Sequence, residues 1–501
     1  MPKKPKSQRR KKGKSLGDIG ENEGIEIFGG GGGGGEVDIL SEDHTVADES
    51  SFNSFYEEFG DNGNSDNDTG AEEEDVSDPQ SRAEIAASNR HTRLLEALSL
   101  ASTIPTEKRT VKREQYLRRL FKAISQFAAG QSGQEAVLSR VDDAIVPACK
   151  TGLRGGSASP AEQYAACRVL EVTSVILGGD HDDYVEAVDR PLRIVVKSTG
   201  RAPQVRGAAL RALSMIHFIC DANEAGTNSV LDLCEEVCAP QYRGEDVCPT
   251  LRAIALDCWA LLSTTVDDAY IAGDELGSET GENGRGVVIL PLLSQCLNES
   301  NVELRCAAGE CVALIHESRL NLGIDDDEGE NASERRFRRG SWDGSEWEVL
   351  MDEVKQRVAE LSVESGRHMS KKAKKEQRAT FRDFMATIVD DEPPVEVVNF
   401  RGGTLNLKSW REIVQINFVR HCLQGGFQIQ LMTNETLHMV FNIDAAIIND
   451  AEGASLSQLE KRLIMSKTSD VAKAADRDLT RRRRNRTNAK NYFITADGED
   501  I

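Results

Sequence analysis

Between residues 83 and 318 apolar side chains recur at helical spacing, in stretches separated by short runs rich in Gly, Asp, Asn and Pro. Leu94, Leu95, Leu98 and Ile104 mark a first helix. Tyr116, Leu117, Leu120, Phe121, Ile124 and Phe127 form a stripe that Gly130 closes, and Val137, Val141, Ile145 and Val146 form another that ends near Gly152. Pro160 opens a helix running through Leu170 and Val175 to Gly178, because the fixed φ of proline suits a first turn whose N–H groups lack partners anyway. The same reading predicts helices over 183–198, 203–219, 228–238, 249–264, 286–298 and 301–317.

Within these helices one signature returns: an apolar residue, an Arg, a run of small residues, then an apolar face. It is present in Val205-Arg206-Gly207-Ala208-Ala209-Leu210, in Leu251-Arg252-Ala253-Ile254-Ala255-Leu256 and in Leu304-Arg305-Cys306-Ala307-Ala308-Gly309. A weaker copy, Tyr164-Ala165-Ala166-Cys167, places Tyr164 in the Arg slot, and the slots are then 42, 46 and 53 residues apart. A loose period of about 40–47 residues is that of stacked armadillo or HEAT helix units. Such units cross closely at their small residues and build an extended surface rather than a catalytic pocket. The expected fold is an all-α helical-repeat solenoid acting as a binding scaffold.

Beyond residue 318 the pattern changes. Asp325-Asp326-Asp327-Glu328 followed by Arg335-Arg336-Phe337-Arg338-Arg339 makes 320–345 an acid–base loop. Helical spacing resumes at Trp347 with Leu350, Val354, Val358 and Leu361, and again over 369–390, where a basic start leads into Phe381, Phe384, Met385 and Ile388. Pro393-Pro394 ends that helix. Val395 to Phe400 and Thr404 to Leu407 flank Gly402-Gly403 as a short hairpin, and a helix over 409–423 follows with Trp410, Ile413, Ile416 and Val419. A last helix is expected from 455 to about 484, apolar at Leu459, Leu463 and Ile464. The organisation expected is a leader at 1–80, a repeat domain at 81–390, a small α+β module at 391–450 and a basic C-terminal helix and tail at 451–501.

Charge sharpens this picture. The 501 residues carry a net charge of −22, but residues 3–14 hold eight Lys or Arg, whereas 15–81 hold none against twenty Asp or Glu. A run of seven glycines, Gly29 to Gly35, precedes the acidic stretch. So little apolar surface cannot offset chain entropy, and the leader is expected to be disordered. Phe52, Phe55, Tyr56 and Phe59 could share one face of a short docking helix within it. Because the end of the chain turns basic again, the acidic total does not exclude nucleic acid. Eleven cysteines without a CxxC pair read as buried reduced thiols. With no apolar segment after the basic start and no run of eighteen apolar residues, a soluble intracellular protein is expected, cytoplasmic and also nuclear.

Four stretches resemble the interferon-related developmental regulator family. Residues 302–316 (VELRCAAGECVALIH) are similar to its repeat helix with an Arg-x-Ala-Ala-Gly-Glu core. Residues 371–385 (KKAKKEQRATFRDFM) are similar to its basic run entering Gln-Arg-x-x-Phe-Arg-Asp. Residues 410–441 resemble its Trp-containing helix, Gly-rich step and the turn Thr433-Asn434-Glu435-Thr436-Leu437 leading to Val440-Phe441. The arginine-rich end is the fourth. The likeness covers about 85–490; the acidic loop and the Gly run depart from it. It implies an armadillo-like domain with a separate C-terminal domain, and non-enzymatic roles: ribosome association that silences translation, and transcriptional co-regulation.

The candidate chemistry is cationic. Arg481, Arg482, Arg483, Arg484 and Arg486, with Lys490, follow Lys467, Lys473 and Arg477. The planar guanidinium offers phosphate two parallel charge-assisted bonds, and so many in a row repel one another unless a polyanion lies alongside. A helix over 455–493 would be about 58 Å long, enough to lie in an rRNA-lined channel. The other readings of this block are a nuclear localisation signal or a solvated tail. Lys371, Lys372, Lys374, Lys375 and Arg378 form a second basic patch that reads equally as a solvated helix face. No cofactor, metal or catalytic residue is expected: there is no P-loop, no Gly-x-Ser-x-Gly and no His-Glu-x-x-His, and His181-Asp182-Asp183 reads as a turn. The partners expected are ribosomal RNA and proteins held on the repeat surface, without membrane. If the acidic leader screens the basic tail, deleting residues 15–81 should tighten nonspecific RNA binding at low salt; unchanged affinity in a titration with labelled RNA rules this out.

Overall fold

The computed structural model describes residues 79–127, 131–220, 223–272, 284–322, 344–363, 371–400 and 403–443. The expected leader up to residue 78, most of the 320–345 loop and the expected C-terminal helix lie outside them; residues 79 and 80, expected in the leader, begin the first helix. The described residues are mostly helical: α1 (Pro79–Ala101), α2 (Thr110–Gln126), α3 (Gln131–Leu138), α4 (Val146–Gly152), α5 (Pro160–Leu177), α6 (Asp182–Lys197), α7 (Pro203–Ile219), α8 (Glu224–Cys238), α9 (Pro249–Ser263), α10 (Asp268–Ala272), α11 (Arg285–Leu297), α12 (Val302–Asn321), α13 (Gly344–Val363), α14 (Lys371–Asp390), α15 (Trp410–Leu423), α16 (Phe427–Thr433) and α17 (Glu435–Val440). The stripe at 137–146 is divided where one continuous helix was expected: a π-turn, Val141–Ile145, joins α3 to α4.

The helices stack as pairs in two rows. One row, α2, α5, α7, α9, α12 and α14, packs in succession; the other, α1, α4, α6, α8, α11 and α13, backs it pair by pair. This is the expected armadillo-like arrangement, with small two-stranded additions. Strands β3 (Glu396–Phe400) and β4 (Gly403–Leu407) form the expected antiparallel hairpin, Val398 opposite Leu405. A second hairpin, β1 (Gln241–Tyr242) with β2 (Glu245–Asp246), was not expected. Its turn residues Arg243 and Gly244 have φ of 53° and 80°, the conformation of a tight two-residue hairpin turn.

The arginine signature has a mechanical cause. Proline starts α5, α7 and α9, and in α7 and α9 a buried Arg three residues further in reaches back to the end of the preceding helix. Arg206 Nε donates to the Val196 carbonyl at the end of α6, 2.9 Å away, and Arg252 Nε to the Cys238 carbonyl at the end of α8, 2.7 Å away. Carbonyls in a last helical turn lack intrahelical donors and carry the negative end of the helix dipole, so a guanidinium there supplies both hydrogen bond and charge. Elsewhere the donor comes from another position: Arg201 serves Leu153 after α4, and Arg357 serves Leu297 at the end of α11.

The slot also extends further than the sequence reading allowed. In α5 it holds Gln163, not Tyr164, since Gln163 lies three residues after Pro160; its Oε1 accepts from Arg201, which does the capping. In α2 the slot holds Arg113, buried against Glu162 at 2.6 Å. Small residues follow because successive helices of this row touch there. A Cβ on Gly207 would stand 2.7 Å from Ile254, and one on Gly309 2.5 Å from the Phe384 ring.

The capping arginine sets a testable scale. Replacing Arg252 by Leu removes the cap on α8 and strips Glu299 of its partner, at a cost of about 3 kcal/mol. Gln163→Leu loses the bond accepted from Arg201 and the one donated to the Ala158 carbonyl, about 2 kcal/mol together. Urea denaturation midpoints compare the two; equal losses contradict the capping role.

Candidate interaction surface

Of the cationic candidates, Arg477, Arg481, Arg482, Arg483, Arg484, Arg486 and Lys490 lie outside the described residues. Lys371, Lys372, Lys374 and Lys375 sit in the first turns of α14. Arg378 follows on the same helix, half-buried, with Gln377 buried beside it. The buried side of α14 is Phe381, Phe384 and Ile388, and Phe384 packs 5.2 Å from the Trp410 ring.

The site that sequence reasoning missed is the surface the chain makes against itself. Helices α15, α16 and α17 lie across the row formed by α2, α5, α9 and α12. At the start of α15, the Trp410 and Arg411 backbone N–H groups donate to the Glu317 carboxylate of α12 at 2.9 and 3.1 Å. Burial raises the Glu317 carboxyl from its usual value, against the pull of these two N–H groups and of Arg411. Arg411 also reaches the Thr264 carbonyl and Asp268, and the Trp410 indole donates to Thr387. At the other end of α15, Arg168 of α5 donates to the carbonyls of His421 and Cys422 at 2.8 and 3.0 Å while paired with Glu171 at 2.5 Å.

Two amides then carry the chain on across the row. Gln430 donates to the Ser125 carbonyl in the last turn of α2 and to the Phe127 carbonyl just past it. Asn434 donates to the Val175 carbonyl of α5, and its own oxygen caps α17 by accepting from Thr436 and Leu437. Gly426 is packed so tightly on the Ser125 carbonyl that a Cβ there has no room. The clue in the sequence was Arg168 and Glu171 inside an apolar helix, since charges buried at that depth need partners.

Desolvation dominates the electrostatics of this junction. Burial pushes the Glu171 carboxyl up, opposed by Arg168 and Arg211. Burial, reinforced by the positive charges of Arg211 and Arg168, holds His421 well below the usual histidine value of 6.5. Arg168 can only donate, so the His421 Nδ1 that lies 3.3 Å from it accepts, and the ring is neutral. Burial raises the Cys422 thiol, and the Cys149, Cys167 and Cys234 thiols likewise, so these are inert core groups. Among the described residues no cluster of His, Cys, Asp and Glu could hold a metal, and no helix is long and apolar enough to cross a membrane.

The neutral imidazole fixes the sign of a pH effect. Below about pH 6.5 the unfolded chain binds a proton that folded His421 does not, so stability falls with acid. Glu171 acts oppositely in a window that begins at its unfolded value of 4.5 and extends upward, where the folded carboxyl keeps a proton the unfolded one has lost. Between about pH 7 and about pH 5.5 the melting temperature of the parent should therefore drop relative to that of His421→Gln, whatever the opposing slope that Glu171 gives both. Parallel profiles remove His421 from this account.

A family model described as "Interferon-related developmental regulator (IFRD)" matches residues 60–389. Among curated proteins, interferon-related developmental regulator 1 of Mus musculus is 25% identical over 319 residues, covering 61% of this chain and 64% of that protein. Interferon-related developmental regulator 2 of Mus musculus is 26% identical over 315 residues, covering 60% and 64%. The human regulator 1 is 23% identical over 318 residues, so the chain spans about 64% of the length of the curated relatives it matches. The family match takes in most of the repeat helices, from α1 through nearly all of α14, and the chain belongs to the interferon-related developmental regulator family.

Proposed function

We propose that this chain is a non-enzymatic regulator that associates with the ribosome through RNA and represses translation, acting in the cytoplasm with a further presence in the nucleus. The repeat body docks, and the segment 455–493 lies along an rRNA-lined path with Arg477, Arg481, Arg482, Arg483, Arg484, Arg486 and Lys490 against phosphates. The carrying observation is the block itself, five arginines in the six residues 481–486, a density whose self-repulsion a polyanion relieves. Neutralising about five phosphates on single-stranded RNA gives a slope of log affinity against log salt near −3.5.

The alternative is a nuclear co-regulator whose repeat row grips a partner peptide. It is less favoured because α15, α16 and α17 already cover α2, α5, α9 and α12, so a peptide on that row would have to displace them. In this reading the basic clusters serve nuclear import.

Replacing Arg481, Arg482, Arg483, Arg484 and Arg486 by Gln should abolish cosedimentation with ribosomes in sucrose gradients while leaving the melting temperature unchanged. The parent complex should dissociate by about 0.3–0.5 M salt, as RNA electrostatics require. Ribosome association that survives the five substitutions overturns the proposal for the tail, and a salt-insensitive protein partner would favour the scaffold.

A further inference from the structure

With one row covered by the chain's own C-terminal helices, a partner of the body must meet the other row or the rims. Along α6 the residues Arg190, Ile194 and Lys197 fall on one face, and all three line a cleft of about 420 Å³ together with Asp189, Arg193, Ser198 and Arg243. Arg243 enters from the tip of the β1–β2 turn. The one carboxylate lining this cleft is already engaged: Asp189 is shared between Arg193 at 2.8 Å and His217 at 3.0 Å. Glu245, on the neighbouring strand, accepts from Thr199. Among the described residues, Arg190, Lys197 and Arg243 have no carboxylate partner.

We propose that this cleft on α6 and the β1–β2 turn binds the phosphodiester backbone of an RNA strand, with Arg190, Lys197 and Arg243 as the phosphate ligands.

Three observations support RNA over another polyanion or a merely solvated face. The row from Arg190 to Lys197 spans about 10 Å of helix, room for successive phosphates of one strand. Two of the three free cations are arginines, whose fork fits a phosphate's paired oxygens better than a point charge does. Arg243 holds a φ of 53° at a turn position where Asn, Asp or Gly would be less strained, and its guanidinium stacks 5.3 Å from the Tyr242 ring. The turn does not call for arginine there; the cleft does. An adjoining cleft shares Arg190 and adds Lys150, but Asp183 and Glu186 line it too, so its charge is balanced and it is not part of the site.

The inference deepens the RNA-binding reading and rests on it, but it concerns residues remote in sequence from the arginine block, so the two can fail separately. The test uses the full chain and a fluorescein-labelled uridine oligonucleotide, followed by anisotropy across a salt series. Arg190→Gln, Lys197→Gln and Arg243→Gly are combined, the last because glycine relaxes the positive φ and keeps the turn. The combined variant should melt no lower than the parent, bind RNA about tenfold more weakly at low salt, and lose about two units of salt slope, near 0.7 for each phosphate released. The five-fold tail variant, measured alongside, should retain that cleft-dependent component. If the cleft variant binds RNA as the parent does, the proposal is overturned, whether or not the tail variant fails. Loss of binding to poly-glutamate with RNA affinity intact overturns it equally and assigns the cleft to an acidic protein.

Discussion

The placement of α15 depends on two opposite charges at its two ends. Its first backbone N–H groups meet the Glu317 carboxylate, and its last carbonyls meet the Arg168 guanidinium. A helix dipole is stabilised by an anion at its start and a cation at its end, so this pair fixes both the position of α15 and its direction. Reversing the helix would set like against like at both ends. Arg168 and Glu171 are so deeply placed that they gain little from water, and an isolated buried ion pair commonly fails to recover its desolvation cost. The two carbonyls of α15 supply the additional hydrogen bonds that make such a pair tolerable. Its presence in α5 is therefore best understood as specifying where the C-terminal segment goes.

That constraint propagates along the chain. Once the end of α15 is held at α5, the segment 424–426 must turn closely against α2, which is why Gly426 has no space for a side chain. Gln430 and Asn434 then satisfy carbonyls left over at the ends of α2 and α5. The segment thus closes, with its own amides, the same class of orphan group that the arginine slot closes in the repeats. One physical problem, exposed carbonyls at helix ends, receives two solutions: arginine within the stack and asparagine or glutamine from the chain laid across it.

The sequence made the first solution readable and hid the second. Helices such as α5, α7 and α9 were legible to within a residue or so, because proline begins each and the period of small and apolar residues is local information. The slot in α5 was misaligned because Tyr164, next to Ala165 and Ala166, mimics the spacing of the signature, whereas the position that matters is counted from Pro160 and holds Gln163. The hairpin at 241–246 was missed since two-residue strands have no alternation to detect. The segment 410–441 was expected in a separate module because the partners of His421, Gln430 and Asn434 lie about 250–300 residues away in sequence, and periodicity has no reach at that distance. The basic candidates at 477–490 rest on composition alone.

Charge distribution makes an acidic chain compatible with the nucleic-acid partner we propose. At physiological ionic strength a charge is felt over about 8 Å, so an RNA strand at a given surface responds to the cations it touches rather than to the net charge of −22. Within the repeat body most buried arginines are neutralised internally, by Glu162, Glu171, Asp257 or Glu299, and are unavailable to a ligand. Cations left over on the side that the C-terminal helices do not cover, Arg190, Lys197 and Arg243 among them, are the ones that the proposed recognition uses. A chain can stay acidic overall, resisting indiscriminate attachment to polyanions, and still present phosphate with a short positive track. The condition is that the acid lining the track is already committed to other partners, as Asp189 is to Arg193 and His217.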